Sequence, residues 1–140
     1  MAKGPNAIVA AYQEAVTVLI KPELGAHEHI AGAANILTGN SLFWLHTTGM
    51  AAFDRAELEL RDVPGLYISM AMQVLHHWAL VTAQTKEFAL GHVLIHADAV
   101  VPVHLRVTAS PDPYWDRIEV ACLRLVSEAL VYPCHGGTHA

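Results

Sequence analysis

His46, Glu57 and Glu59 are the residues of this chain whose types and spacing best suit chemistry. Ser41 to Gly49 and Ala56 to Val63 both alternate in character, the signature of two neighbouring strands. On the first, Leu42, Trp44, His46 and Thr48 share one face, and Phe43, Leu45 and Thr47 share the other. On the second, Leu58 and Leu60 face one way while Glu57, Glu59 and Arg61 face the other, as in a sheet with one solvated face. If register brings those faces together, His46 meets a glutamate, and an imidazole beside a carboxylate is a competent acid–base pair. The plainer alternative is a strand histidine bonded to a neighbour and fixing the hairpin. Thr47 and Thr48 are poor nucleophiles without a base beside them. Trp44, Thr48 and Phe53 are the candidate binding residues of the same stretch. A small hydrolase or lyase-like enzyme built here needs a concave pocket on the Trp44–Thr48 face.

The ten histidines invite a test for metal ligation. His27-Glu28-His29 puts two imidazoles about 6–7 Å apart on one side of an extended segment, where they can chelate. On a helix the same pair diverges by roughly 200°. His92 and His96 would face together on a helix, but a strand separates them by about 13 Å. His76 and His77 point about 100° apart on a helix. Cys134, His135 and His139 form a soft ligand set that zinc accepts. The candidate metal ligands are therefore His27, His29, Cys134 and His135, with zinc as the alternative to a chain without cofactor. No C-x-x-C or H-E-x-x-H framework accompanies them. Phosphate-cradling glycine motifs and the G-x-S-x-G elbow are absent as well.

The elements that must position these residues come from a chain of 140 residues, a length for one domain. Apolar residues make up 54% and charged ones 15%, which excludes disorder and supplies a full core. The mean hydropathy of +0.34 also implies a self-associating surface, since a small domain hides little apolar area. A net charge of −5, with no run of Lys or Arg, leaves no basic face for nucleic acid. Protonating all ten histidines would carry −5 to +5, so the charge depends on pH. Cys122 lies in an apolar run and reads as a reduced core thiol. No cleavable signal and no membrane span are visible, and cytoplasm is the expected compartment.

Ile8, Tyr12, Ala15, Val16 and Leu19 give a helical stripe from Pro5 that Lys21-Pro22 ends. Ala31 to Leu37 suits a short helix stopped by Gly39-Asn40. Behind the two strands, Asp62-Val63-Pro64-Gly65 opens the longest helix, whose apolar face is Tyr67, Met70, Ala71, Val74, Leu75 and Trp78. Gly91 to Ile95, Val101 to Val107 and Arg117 to Val126 read as further strands, with Ser110 to Pro113 a loop. Pro102 argues that the second of these strands lies at an edge or pairs on one side only near that point. A flexible tail follows from about residue 133.

The run W-L-H-T-T-G-M-A-A-F, followed by A-E-L-E-L-R-D-V-P, resembles an uncharacterised bacterial family, domain of unknown function 4261 and related groups. Its members read Trp-x-His-Thr-x-Gly-Leu-x-x-Phe and then Pro-x-Leu-Glu-x-x-x-Val-Pro. Trp44, His46, Thr47, Gly49, Phe53, Leu58, Glu59, Val63 and Pro64 occupy the matching places. Asp54-Arg55-Ala56 stands where the family has Gly-x-Pro, so the turn differs. The resemblance implies a strand–turn–strand–helix order and no particular reaction.

These readings combine into an α+β domain: a mostly antiparallel sheet with two main helices packed on one face. The expected function is a non-catalytic binding module that self-associates and meets an unknown protein partner. The alternative is the acid–base enzyme at His46 with Glu57 or Glu59, in a form that a metal held by other histidines could assist.

Overall fold

The computed structural model describes residues 5–23, 42–97 and 103–127. Their order is α1 (Pro5–Ala15), β1 (Thr17–Pro22), β2 (Leu42–Thr48), a 3₁₀ turn (Met50–Phe53) and β3 (Glu57–Pro64). A second 3₁₀ turn (Gly65–Tyr67) leads into α2 (Ile68–Gln84), followed by β4 (Val93–His96), β5 (Val103–Ala109), α3 (Pro113–Arg117) and β6 (Cys122–Ser127). The six strands form one sheet in the order β1-β2-β3-β6-β5-β4. All neighbours are antiparallel except β3 and β6, which run parallel. The expected α+β class holds. Among the described residues no helix is long and apolar enough to cross a membrane.

Two parts of the sequence reading are corrected here. The stripe assigned to a single first helix splits: α1 stops at Ala15 and Thr17–Pro22 is a strand. Val16 to Ile20 is a β-branched and leucine run, and pairing it with β2 outweighs its helical spacing. α3 begins at the last residue of the expected loop and takes in Arg117, so the last strand starts at Cys122 and not at Arg117. Asp112 caps the helix by accepting from the Tyr114 backbone N–H at 2.9 Å, and Pro113 fills the first turn.

α2 crosses β1, β2 and β3, and α1 packs against α2. The face of α2 that is buried is Ala71, Leu75, Ala79 and Thr82, while Tyr67 and Met70 stand exposed. The stripe is therefore turned from the expected one, because the small Ala71 and Ala79 let the helix sit close to the sheet. Leu45, Leu58 and Leu75 are fully buried in the core they share. Cys122 is a free buried thiol, and burial pushes its pKa up.

The solvated face expected of β3 is lost over its first half. Glu57 is buried against Thr47 and the first 3₁₀ turn, and Glu59 against Trp44 and Trp115 of α3. Farther along the strand Arg61 is half-buried and Asp62 exposed. A bulge then resets its alternation. Leu45 pairs with Leu60 and Phe43 with Val63, so Trp44 alone opposes Arg61 and Asp62. Asp62 adopts φ 55° to make that bend, and Glu23 accepts from its backbone N–H at 3.0 Å. The extra residue keeps Val63 on the core side with Leu58 and Leu60.

Candidate functional site

The two strand carboxylates belong to separate constellations. Glu57 accepts from the Thr47 hydroxyl at 2.7 Å and from the backbone N–H groups of Gly49 and Met50, each at 3.1 Å. It thus caps the first 3₁₀ turn from the start of the next strand. Gly49 lies beneath this turn with φ 105°, and a Cβ there would stand 1.9 Å from the Ala15 carbonyl oxygen. No residue but glycine fits that contact between α1 and the turn.

Glu59 accepts from the Trp44 indole at 2.8 Å and the Trp115 indole at 3.1 Å on one oxygen. Its other oxygen accepts from Arg124 Nε at 2.7 Å. The carboxylate is 0% exposed. A buried charge held by three donors organises its surroundings, here β2, β3, β6 and α3 at once.

His46 pairs with Glu59 across the ladder, as the face argument expects, but no hydrogen bond joins His46 to either glutamate. Leu58 N–H donates to the Thr47 hydroxyl at 2.9 Å. The Thr47 carbonyl instead accepts from His46 Nδ1 at 2.9 Å. A carbonyl only accepts, so Nδ1 carries the hydrogen and neutral His46 presents a bare lone pair at Nε2. Nε2 has no partner among the described residues. The ring is 1% exposed, and lies 4.9 Å from the Trp44 and Trp115 rings and 6.0 Å from Tyr114, centroid to centroid. Burial, aided by the Lys21 charge, holds its pKa below the ordinary imidazole value against the Thr47 carbonyl and Glu59.

Outside this box lies an open cavity of about 440 Å³ lined by Lys21, Trp44, Arg61, Asp112 and Tyr114, among others. Lys21 Nζ sits 4.8 Å from the Trp44 ring centre and 4.2 Å from that of Tyr114. Arg61 stacks on Trp44 at 4.6 Å and is paired with Glu23 at 2.6 Å and Asp112 at 2.7 Å. The Arg61 bonds hold the Glu23 carboxyl below the usual carboxylate range. For Asp112 the capped Tyr114 N–H does most of the same work.

A larger groove of about 670 Å³ runs between α1 and α2. Tyr12, Gln13, Met72, Gln73, His76 and His77 are among its lining residues, none of which is Lys, Arg, Asp or Glu. The Tyr12 hydroxyl is bonded to His76 Nδ1 at 2.7 Å. Burial lowers the His76 pKa and raises that of Tyr12, where Glu57 adds to it.

The three expected binding residues do not converge. Trp44 lines the 440 Å³ cavity, Phe53 lines a different cavity of about 600 Å³ between α1 and the first 3₁₀ turn, and Thr48 is exposed. The proposed metal ligands His27, His29, Cys134 and His135 lie outside the described residues, as do the short helix at 31–37 and the tail. Among the described residues no group of three His, Cys, Asp or Glu could hold a metal ion. Sequence reasoning missed Trp115, Tyr114 and Arg124. Asp112-Pro113, a cap followed by a first-turn proline, was the available signal for the helix that carries the first two. No protein-family model matches the chain, and neither a curated protein nor a solved structure matches it.

Proposed function

We propose that this chain is a non-catalytic interaction module that works as a homo-oligomer and binds a protein partner. One observation carries the reading: the buried acid–base candidates are already committed to structure. Each oxygen of Glu57 and Glu59 has a donor, and His46 is sealed beneath three aromatic rings. Leu19, Ile20, Leu66 and Met70 meanwhile stand exposed. Binding is what such a surface favours. The uncharged α1–α2 groove suits an apolar, uncharged segment of the partner. A cytoplasmic setting belongs to the same reading, and the free thiol of Cys122 agrees with it. Sedimentation equilibrium at neutral pH tests the proposal. A mass that rises with concentration above that of one chain is expected, and a strict monomer across the range overturns it.

The second reading, an acid–base enzyme at His46, has one observation in its favour. Its Nε2 is a lone-pair acceptor with nothing bonded to it. Acting on a substrate requires α3 to lift Tyr114 and Trp115 away. Ethoxyformylation under native conditions, mapped by mass spectrometry, decides this. His46 modified as fast as exposed His77 supports the enzyme; full protection of His46 beside a modified His77 rejects it.

A further inference from the structure

Among the described residues β1 is an outer strand of the sheet, and the register fixes which of its backbone groups face outward. Glu23 N–H donates to the Leu42 carbonyl at 2.9 Å, and these two residues continue the β1–β2 register directly opposite each other. In an antiparallel ladder bonded and non-bonded pairs alternate, so Thr17, Leu19 and Lys21 bond to β2. Val18, Ile20 and Pro22 therefore turn their backbone groups away from it. Pro22, with no N–H to offer, sits at one of the outward positions, as proline at a sheet edge does.

Side chains on both faces of this edge are also uncovered. Leu19 is 39% exposed on the face that carries His46, and Ile20 is 42% exposed on the face toward the helices. β4, the opposite edge, exposes Ile95 on one face only and buries Leu94 and His96 on the other. An open ladder with apolar chains above and below it is what another strand would complete.

We infer that β1 pairs with β1 of a second copy, antiparallel about a twofold axis through Leu19, joining two sheets into one. This rests on the self-association proposed above and gives it a geometry. In this register Val18 of each copy opposes Ile20 of the other, and both are outward residues. They exchange four N–H···O=C bonds, using every outward donor and acceptor of the two residues. Leu19 meets Leu19 of the second copy as a non-bonded pair, the closer kind, at about 4.5 Å between Cα atoms. Thr17 opposes Lys21, so no like charges face each other. Centring the axis on Ile20 instead would oppose Val18 to Pro22 and leave the Val18 carbonyl without a donor. The sequence of the edge is thus complementary to itself, the condition for a twofold interface.

The test uses the full chain with Cys134→Ser, leaving only the buried Cys122. Leu19→Cys places two thiols across the axis within disulfide reach. Thr17→Cys places them about 13 Å apart along the strand and serves as the control. Mild oxidation should link the Leu19→Cys chains nearly completely and the Thr17→Cys chains not at all. Ile20→Pro removes an outward N–H while leaving the β2 ladder intact, and should weaken dimerisation about 10- to 100-fold by sedimentation. Ile95→Pro at the other edge should leave it unchanged. A protein that dimerises but fails to cross-link at position 19, or disperses with Ile95→Pro and not with Ile20→Pro, overturns the β1 pairing and leaves self-association standing. A strict monomer overturns both.

Discussion

On β3, in the middle of the sheet, every buried carboxylate oxygen has a donor, whereas on β1 the outward backbone groups of Val18 and Ile20 have no strand beside them among the described residues. The first region uses polar side chains to lock elements together, and a substitution there should cost fold stability. The second leaves its polar groups at the surface, and a substitution there should cost association. The contrast separates what holds this protein together from what it presents to others.

The largest effect is expected at Glu59. Glu59→Ala leaves Arg124 without its carboxylate and two indole N–H groups without an acceptor, a loss of about 3–5 kcal/mol by urea denaturation. Gly49→Ala follows, at about 3 kcal/mol, because its Cβ meets the Ala15 carbonyl from a positive φ. Glu57→Gln retains the side-chain shape but weakens the cap on the 3₁₀ turn, costing about 1–2 kcal/mol. A loss below about 1 kcal/mol at Glu59 would erase the contrast with the edge. Ile20→Pro should shift the urea midpoint of the monomer by no more than about 0.5 kcal/mol equivalent, since Ile20 donates nothing to β2.

Acid sharpens the same comparison. His46 and His76 have folded pKa values held below the ordinary imidazole value, so the unfolded chain takes up protons first as pH falls. Their contribution to stability is full above about pH 6.5 and declines below it, down to their folded pKa values. Glu23 and Asp112 carry lowered pKa values too, and their contribution is lost only at lower pH, below the ordinary carboxylate range. His46→Phe should flatten the first decline in a series of melts from pH 8 to 5. An unchanged profile would mean that His46 already takes up its proton in the folded state.

The hairpin was legible because its alternation is long and its turn is marked by Gly49 and Asp54-Arg55. Alternation put His46 and the two glutamates on faces that could meet, but the direct opposition of His46 and Glu59 depends on the register, which alternation does not give. The partners of Glu59 were not legible, since Arg124 and Trp115 come from 65 and 56 residues away. Alternation alone marked Glu57 and Glu59 as solvent-facing, because a strand pattern cannot tell water from a covering helix. At β1, Val16 to Leu19 satisfies helical spacing and strand propensity together, and only pairing with β2 decides between them.

Sedimentation equilibrium of the wild-type chain beside Ile20→Pro at neutral pH tests the central claim most directly. The account predicts a dimer for the first and a shift toward monomer for the second, with both equally folded by circular dichroism. A wild-type chain that stays monomeric, or an Ile20→Pro chain that dimerises as tightly as the wild type, would contradict it.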